Sequence, residues 1–469
     1  MRVSFNKIKI SPKDFIGRPM AGYARKNPCL GKLDDIYAYG VLIEGKSGAR
    51  GKNELLLISL DLLKFPIALC DYIKKKIKEK HQSLESDQIL IHCTHTHSAP
   101  DLTGEFHWPG GLLNIMKGIM FGRNRSDDYI VWFVSQIVKM VEDLTNNLIP
   151  CKMAWLKKKF NPDIVINRRH PIRQSIPDLG IISFINVDNN GLIGFIINYS
   201  CHPTTLSFQN NKLSADYPGK VIERITQLTN NKVGVIFFNG TSGDINPITT
   251  CGTNYQKLEL DKSLIYDQLG TYNHTKNIGY MIAEEALNLA KSIPKKEYNI
   301  GLEFQFYLNS FWIPLKDFKY FSKTWFRNKL VYSLKKYLLL KVSKIILENA
   351  NFPSFTLKRK KFKIHAKTVI QFIKFNFEHE STSKSIGIMT VPGELFEDYG
   401  DLFIKESPTG RENSFVFQNS NDWISYLFPA KDYIEEGGYE PLASFSPICG
   451  HFIEKKMLEL FKEIKNKSN

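Results

Sequence analysis

Short apolar runs of strand length alternate along this chain with longer segments that have the apolar spacing of helices. Residues 55–63 (LLLISLDLL) are the clearest strand candidate. Residues 66–80 follow with a helical pattern that turns basic near its end, where the helix dipole favours positive charge. Alternation of this kind predicts an α/β protein. Further strands are predicted at residues 88–93, 180–187, 194–200, 233–238, 385–391 and 415–417, and further helices at 127–148, 220–228, 272–292 and about 394–405.

The strands predicted at 180–187 and 194–200 are separated by residues 188–191 (DNNG), whose residue types favour a tight turn. Such a hairpin makes its strands antiparallel neighbours, so we expect mixed sheets covered by helices, with an active site at the carboxyl ends of strands. No internal repeat and no low-complexity linker interrupts the pattern. We therefore expect one domain over residues 1–469, with a basic helical insertion at 316–374.

The composition is that of a folded, globular protein. Of 469 residues, 43 % are apolar and 23 % are charged, which excludes a mainly disordered chain. No apolar run reaches the roughly 18–20 residues of a membrane-spanning helix. Residues 1–14 lack the apolar stretch of a secretory signal, so a cytoplasmic location is expected. The seven cysteines are scattered singly, without a CxxC pair, and this spacing favours reduced thiols.

The net charge of +16 is concentrated in one segment. Residues 316–374 contain 16 Lys and Arg against two acids, and the rest of the chain is nearly neutral. Within this segment, apolar residues recur at helical spacing from 330 to 346, preceded by aromatic residues at 320–326. Three interpretations stay open: a helix packed on the body with a solvated charged face, a helix lying in an anionic membrane surface, or a nucleic-acid contact, for which no DNA- or RNA-binding motif is present.

Two histidines follow the strand predicted at 88–93. His95 and His97 lie in a Thr-His-Thr-His motif, and in an extended chain residues i and i+2 point to the same face. Both imidazoles are therefore expected to project together from the carboxyl end of a strand. A single histidine is more often a structural residue, but a pair on one face indicates a metal or catalytic site.

Three further motifs place chemically active residues at strand ends. His202 ends a predicted strand and precedes a proline, whereas alternation turns the neighbouring Cys201 toward the apolar layer. Residues 239–247 form a glycine-rich turn that allows close backbone approach to a ligand, or is simply a tight turn. Glu394 follows another strand and either binds a ligand or stabilises a helix N-terminus. Two histidines and one carboxylate are a common catalytic zinc set.

Five motifs in chain order resemble the catalytic domain of the neutral/alkaline non-lysosomal ceramidase family, and residues 17–23 (GRPMAGY) are similar to its start. The resemblance extends from residue 5 to residue 450, interrupted by the basic segment. It implies a zinc-dependent amidase that cleaves the N-acyl bond of ceramide or a related N-acyl lipid. The motifs are THTHSAP (94–100), SCHPTTLS (200–207), SADYPG (214–219), GTSGDINP (240–247) and VPGE (391–394).

The resemblance also implies roles for individual residues. His95, His202 and Glu394 match the family's zinc ligands. Tyr426, in the segment 421–426 (NDWISY), matches a tyrosine whose oxygen also binds the metal. One zinc ion per chain is therefore expected, which would lower the pKa of a bound water to about 7 and polarise the amide carbonyl for attack by that water.

Three more residues match positions that line the family's active site: His97, Arg168 and Tyr439. Arg168 and Tyr439 are expected to stabilise the negative charge that develops on the carbonyl oxygen. His97 is expected to transfer a proton to the leaving amine, or to support the metal site from outside its ligand set.

Two departures from the family concern the substrate. Gly240 occupies the position of a serine in members studied as ceramidases, and Ser242 is nearby but out of register, so no serine acyl-enzyme is expected. No segment corresponds to the C-terminal β-domain of the longer ceramidases. The amidase chemistry is therefore better supported than ceramide as its substrate. Two alternatives stay open: a metal-dependent hydrolase of another amide or ester, and a non-enzymatic membrane-surface protein on the same fold.

Overall fold

A computed structural model of the chain places two β-sheets at the centre of the molecule, with helices over the outer face of each. Both sheets contain parallel and antiparallel neighbours, which confirms an α/β protein with mixed sheets. The structure describes residues 1–23, 25, 27–46, 53–104, 106, 127–250, 270–315, 352, 355–360, 363–377, 384–429 and 440–468.

Within the described residues, the first sheet has eight strands. Across the sheet they are β11 (Gly234–Asn239), β9 (Leu192–Tyr199), β8 (Asp178–Asn186), β6 (Ile149–Lys159), β1 (Arg2–Lys9), β3 (Tyr37–Glu44), β4 (Glu54–Leu60) and β5 (Ile89–Cys93). The pairs at its two edges, β11 with β9 and β4 with β5, are parallel, and the pairs between them are antiparallel.

This sheet curls so that its two edge strands approach each other. The Asn239 backbone N–H at the end of β11 donates to Nε2 of His92 on β5, at 3.2 Å. The Ser59 hydroxyl on β4 donates to the Phe237 carbonyl of β11, at 2.8 Å. The segments that follow β5 and β11 therefore emerge side by side.

The second sheet consists of β13 (Leu302–Pro314), β15 (Lys363–Phe377), β16 (Lys384–Thr390) and β18 (Ser414–Phe417) in that order, with β14 (Leu357–Lys360) paired to one end of β15. The strands β16 and β18 run parallel, and the other pairs are antiparallel. Short pairs are formed by β2 (Gly31–Lys32) with β10 (Lys212–Leu213), β7 (Val165–Asn167) with β12 (Ile245–Pro247), and β17 (Glu394–Leu395) with β19 (Tyr426–Leu427).

The two sheets share an apolar cluster. Phe238 of the first sheet stacks on Phe417 of the second, with ring centroids 4.2 Å apart and ring planes at 10°. Both rings are fully buried, and the same cluster contains Leu57 from the first sheet and Phe375 from the second. The aromatic and aliphatic residues that predict strands in the sequence thus also supply the packing between the sheets.

Helices cover the outer faces of the sheets. In the helix Asp127–Asn146, Phe133, Ile137 and Met140 recur at helical spacing and are fully buried, so the apolar stripe that predicts this helix is its packing face. In chain order the helices of the described residues are α1 (Ile67–Lys80), α2 (Asp127–Asn146), α3 (Asp216–Leu228), α4 (Tyr272–Ser292), α5 (Glu397–Glu406), α6 (Glu440–Ala443) and α7 (Cys449–Ser468). Single 3₁₀ turns occupy Ser86–Gln88, Ile248–Thr250, Lys295–Glu297 and Arg411–Asn413. The first sheet is covered by α1 and α2 and, over β8, β9 and β11, by α3 and α4. The second sheet is covered by α5 and α7.

The predicted strands and helices are present, with shifts of a few residues at their ends. One boundary is wrong: the helix expected from about Glu394 begins at Glu397, as α5. Glu394 lies instead in β17, where its backbone pairs with Tyr426 of β19. Because Glu394 is in a strand pair, the interpretation of its carboxylate as a stabiliser of a helix N-terminus is excluded.

The basic segment 316–374 falls only partly within the described residues. Its residues 357–360 and 363–374 are strands of the second sheet, and Ile364 is buried in the cluster beneath α5 and α7. This end of the segment therefore forms part of the core. The helix predicted over 330–346 lies outside the described residues. No helix that the structure does describe has the length and apolar character needed to cross a membrane.

Truncation of Phe238 to alanine is expected to lower the free energy of unfolding by about 3–5 kcal/mol, because it removes the stacked partner of Phe417 and leaves a cavity. Urea unfolding followed by circular dichroism measures this loss. Val131→Ala is the control, since Val131 is 55 % exposed on α2, and it should change the same free energy by less than about 0.5 kcal/mol. Similar losses in both variants would contradict the packing of the two sheets through this ring pair.

Candidate metal centre

Three buried histidines meet beyond the ends of two strands of the first sheet. His95 and His97 follow β5, and His202 follows β9. One ring nitrogen of each lies within 4.8 Å of those of the other two. Nε2 of His97 and Nε2 of His202 are 3.2 Å apart. This cluster could hold a metal ion.

His95 and His97 converge by a route that differs from the extended chain their spacing predicted. His95 has a φ of 67°, in the left-handed region that non-glycine residues seldom adopt. Its backbone N–H donates to the Leu62 carbonyl, at 2.9 Å, so the chain turns as soon as β5 ends. The two rings still lie together, with centroids 5.0 Å apart. The convergence is confirmed, but a turn produces it.

Backbone carbonyls fix the orientation of two of the rings. Nδ1 of His95 lies 2.6 Å from the Leu63 carbonyl oxygen, and Nδ1 of His202 lies 3.0 Å from that of Ser242. A carbonyl oxygen can only accept, so each Nδ1 must carry the hydrogen. When the rings are neutral, each Nε2 then carries no hydrogen and has a free lone pair. Carbonyl partners of this kind are the usual support of histidines that bind metals.

Glu394 of β17 faces these lone pairs. Its Oε2 is 3.4 Å from Nε2 of His95 and 3.7 Å from Nε2 of His202. This oxygen is buried and accepts no hydrogen bond from the described residues. Oε1 accepts one from Nε1 of Trp423, at 3.2 Å, and the Tyr426 side chain also hydrogen-bonds to the carboxylate.

These donor atoms fit a metal ion. When both rings are neutral, a carboxylate oxygen and two nitrogen lone pairs meet without solvent, and a cation among them would remove their mutual repulsion. In a tetrahedral site with bonds of about 2.0–2.2 Å, ligand atoms are about 3.3–3.6 Å apart. The separations of 3.4 and 3.7 Å are close to that range.

The protonation states of the site also suit metal binding. Burial lowers the pKa of His202 to about 3 and that of His97 well below its ordinary value, so both rings are neutral near pH 7. Burial by itself raises the pKa of Glu394, but attraction between its carboxylate and a protonated His95 or His202 outweighs this effect, and the pKa falls to about 2. When the rings are neutral, a metal cation would supply that attraction instead. Neutral imidazoles and an ionised carboxylate are the forms that bind metals.

Two glycines allow backbone segments to close around the site. A Cβ on Gly243 would lie 2.5 Å from the Glu394 carbonyl oxygen, and one on Gly393 would lie 2.2 Å from the Ser425 carbonyl oxygen. Neither distance leaves room for a side chain. The glycine-rich turn at 239–247 therefore provides close backbone approach, and its Ser242 carbonyl orients His202.

Arg168 lies on the Tyr426 side of the site, with its guanidinium carbon 5.4 Å from the Tyr426 ring centroid. It donates to Oδ1 of Asn246, at 2.9 Å, and to Oε1 of Glu440, at 3.1 Å. Arg169 donates to the other oxygen of Glu440, at 3.1 Å. Because both guanidinium groups share this buried carboxylate, Glu440 holds Arg168 in place over the ring.

Gly240, at the family's serine position, borders a cavity that the three histidines do not line. A Cβ on Gly240 would be 2.4 Å from Oγ of Ser200, so a side chain here would require that hydroxyl to move. Gly240 and Ser200 line a cavity of about 260 Å³, and the three histidines are not part of its wall. Ser242 is fully buried, and its Oγ accepts a hydrogen bond from Nε2 of Gln418, at 2.5 Å.

Most residues singled out from the sequence converge on this site. The structure brings together His95, His97, His202, Glu394 and Tyr426 and places Arg168 beside Tyr426. Tyr439 lies outside the described residues. The sequence did not indicate Trp423, Arg169, Glu440 or the carbonyls of Leu63 and Ser242. Trp423 could have been found from its place in the 421–426 motif, whereas no pattern identifies a carbonyl partner, since every residue carries one.

Comparisons with known proteins support the fold. No protein-family model and no curated protein sequence matches the chain. Among solved structures, neutral ceramidase from Pseudomonas aeruginosa is similar over 99 % of this chain and 74 % of its own, at 15 % sequence identity and a TM-score of 0.67. A ceramidase complexed with C2 is similar over 99 % of this chain and 75 % of its own, at 15 % identity and a TM-score of 0.68. The chain thus has a neutral ceramidase-like fold, as its motifs predict.

The purified protein is expected to bind one divalent transition-metal ion, and Glu394→Gln should weaken that binding at least about tenfold because it removes an anionic ligand. Metal should raise the thermal midpoint of the wild-type protein, since it binds the folded state. Without metal, Glu394→Gln should not lower the midpoint, because the amide removes a charge that faces two lone pairs. Elemental analysis and calorimetry measure both effects.

Glu412→Gln is the control for this comparison, since Glu412 is exposed, and it should bind metal as the wild type does. A wild-type protein that binds none of Zn²⁺, Co²⁺ and Mn²⁺ would contradict the site.

Proposed function

We propose that this chain is a zinc-dependent amidohydrolase that cleaves the N-acyl bond of ceramide or a related N-acyl lipid. The observation that carries the proposal is the buried Oε2 of Glu394, which accepts no hydrogen bond from the described residues and faces Nε2 of His95 and His202. The similar solved structures are ceramidases, and this favours the same class of reaction.

Zinc suits the chemistry of the donors. Imidazole nitrogens and a carboxylate oxygen, without a thiolate, are a common ligand set of catalytic zinc. Cys201 is adjacent to His202 in sequence but is buried in the apolar cluster that contains Tyr217 of α3, which agrees with its expected direction into the apolar layer. When bound, zinc would lower the pKa of a water molecule and polarise the amide carbonyl. The residues that would hold zinc are His95, His202, Glu394 and, by resemblance, Tyr426.

His97 is the proposed proton carrier. Its Nε2 is 3.2 Å from Nε2 of His202, and its buried Nδ1 has no hydrogen-bond partner among the described residues. We propose that neutral His97 takes a proton from the attacking water and gives it to the nitrogen of the leaving amine, which leaves poorly while it is unprotonated.

Arg168 is the proposed stabiliser of negative charge on the carbonyl oxygen, because it is a buried cation whose position is fixed by Glu440 and Asn246. Donors that are already in place need no reorganisation when charge develops. Tyr439 is proposed as a second donor on the sequence resemblance.

The change at the family's serine position favours a second candidate, the same chemistry on another amide or an ester. Gly240 packs against Ser200 and cannot be replaced by a larger residue without movement. The serine hydroxyl of the members studied as ceramidases is therefore absent at this position. Turnover with a panel of N-acyl lipids, soluble amides and esters separates the two candidates, and a non-enzymatic protein would show no turnover with any of them.

The zinc-loaded protein is expected to release fatty acid from ceramide or another N-acyl lipid, and chelation should abolish the release. His202→Ala should lose both zinc and activity. His97→Ala should keep zinc while kcat falls on the order of 10²–10⁴-fold, since general acid–base catalysis contributes about that much. His451→Ala, in which an exposed histidine of α7 is removed, is the control.

Three results would change this assignment. Loss of zinc from His97→Ala would make His97 a ligand rather than a proton carrier. Inhibition by a serine-directed covalent reagent, with an acyl group trapped on Ser242, would replace water as the nucleophile. Full activity after complete removal of metal would exclude the zinc-dependent reaction.

We also propose that part of the basic segment contacts an anionic membrane. Residues 316–351 contain nine Lys and Arg against two acids and include the apolar stripe at 330–346. A ceramide-like substrate resides in bilayers, so a segment that binds anionic lipid would help the enzyme reach it. Each basic residue near such a surface contributes on the order of 1 kcal/mol, and salt screens this attraction over about 8–10 Å.

Replacement of residues 316–351 by about ten Gly and Ser residues is expected to abolish binding to phosphatidylserine vesicles at low salt. The replacement spares β13, β14 and β15, so the fold and activity on a short soluble amide should persist. Vesicle co-sedimentation measures the binding, which in the wild type should also weaken at high salt. Unchanged co-sedimentation of the shortened protein would contradict a membrane contact through this segment.

A further inference from the structure

We propose that Gly22, Tyr23 and Arg25 together form a positioning device for His97, here named the His97 clamp. Each of the three contacts a different part of His97. Gly22 lies against one side of the ring and the Cβ of His97, Tyr23 contacts the ring, and Arg25 binds the backbone carbonyl. The clamp would act through His97 rather than on the substrate, so the proposal rests on the proton-transfer role proposed above.

Gly22 provides the space that His97 occupies. A Cβ on Gly22 would lie 2.4 Å from Nδ1, 2.5 Å from Cγ and 2.7 Å from Cβ of His97, and real Cβ atoms essentially never approach other atoms within 3.0 Å. Because the obstruction includes the Cβ of His97, rotation of the imidazole alone would not relieve it. Gly22 also has a φ of 95°, in the left-handed region that glycine adopts easily.

Tyr23 contacts the ring of His97. The two ring centroids are 4.6 Å apart and their planes are inclined at 55°. The ring of His202 lies 5.1 Å from that of His97. The His97 imidazole therefore has an aromatic contact from the clamp in addition to its contact with the candidate metal centre, and both restrict its rotation.

Arg25 holds the backbone at His97. Its Nη2 donates to the His97 carbonyl at 2.6 Å, its Nη1 to the Ala21 carbonyl at 2.8 Å, and its Nε to the Asn210 carbonyl at 2.8 Å. The guanidinium carbon is also 4.9 Å from the Tyr23 ring centroid. One planar, buried group thus joins three chain segments that are far apart in sequence.

Arg25 is a buried charge whose cost is offset by its hydrogen bonds to the three carbonyls. The side chain is almost fully buried, and burial lowers its pKa to about 10, so it remains charged at neutral pH. Burial of a charge is costly unless hydrogen bonds offset the loss of water. Three carbonyls in a plane suit a guanidinium, whose donors form a rigid fork, better than they suit the compact ammonium of lysine.

The decisive comparison is Gly22→Ala against Gly17→Ala. Gly17 also has a positive φ, of 81°, but a Cβ there has no atom within 4 Å, so both variants strain the backbone and only Gly22→Ala meets His97. We expect kcat on the N-acyl substrate to fall on the order of 100-fold in Gly22→Ala, with KM nearly unchanged, because a misplaced catalytic group costs about that much. Gly17→Ala should keep the wild-type kcat.

A double-variant cycle tests whether the effect passes through His97. In a His97→Ala background the ring through which the clamp acts is absent, so adding Gly22→Ala should cause no further loss of kcat. The same cycle can be measured by thermal unfolding. Gly22→Ala should lower the midpoint more than Gly17→Ala does, and this difference should become smaller when His97 is alanine, because the ring is removed while the Cβ remains.

Arg25 is tested by chemical rescue. Arg25→Ala should lower kcat, and added guanidinium ion should restore part of it, whereas potassium chloride at the same ionic strength should not. The kcat of Arg25→Lys should be lower than that of Arg25→Ala with added guanidinium, because lysine cannot reproduce the planar fork of donors. Guanidinium should have no effect on Gly22→Ala.

The unfolding cycle keeps the clamp testable if the proposed reaction fails. If the protein turns over none of the substrates, the proposed function is rejected. The clamp is still supported in that case if the unfolding midpoints show that the substitutions at residues 22 and 97 are coupled. Equal kcat values and equal midpoints for Gly22→Ala and Gly17→Ala would overturn the clamp, as would a Gly22→Ala loss that is additive with His97→Ala.

Discussion

A buried carboxylate oxygen that faces two imidazole lone pairs is the interaction on which the rest of this structure depends. Oε2 of Glu394 lies 3.4 Å from Nε2 of His95 and 3.7 Å from Nε2 of His202, and when both rings are neutral a cation among these atoms would remove their mutual repulsion. The Leu63 and Ser242 carbonyls place the hydrogen of each neutral ring on Nδ1 and direct both Nε2 atoms at that oxygen. The surrounding loops hold the donors in place, including the tight contact at Gly243.

The arrangement of the two sheets explains how these donors meet. The first sheet curls until β5 and β11 are joined through His92, so the segments after these strands lie side by side. The second sheet contributes its own strand ends, and an isolated bridge from His92 to Ser420 connects the segment after β18 to β5. Phe238 and Phe417 pack between the sheets behind this junction. The site therefore belongs to both sheets, and neither could form it alone.

Local patterns predicted much of this molecule. The apolar runs and stripes that define β5, β9 and α2 lie in the core where periodicity placed them, because burial of one face is a local requirement. Patterns failed where a non-local contact decided the geometry. His95 takes a left-handed conformation that its neighbours do not predict. Glu394 lies in a strand pair rather than at a helix start, because Tyr426, 32 residues further along, binds its backbone.

The sequence by itself determined the α/β class, the order of the elements and the residue types at strand ends, since these follow from hydrophobic periodicity and from motifs read along the chain. Only the tertiary structure decided which of those residues meet. Arg25 carries no motif, yet it binds the His97 carbonyl because the Asn210 loop and the chain near Ala21 converge there. Glu440 likewise acts only because Arg168 and Arg169 reach it from a distant segment. Such contacts depend on how the sheets curl and pack against each other. The order of residue types along the chain does not reveal that arrangement, because it results from many contacts between distant segments.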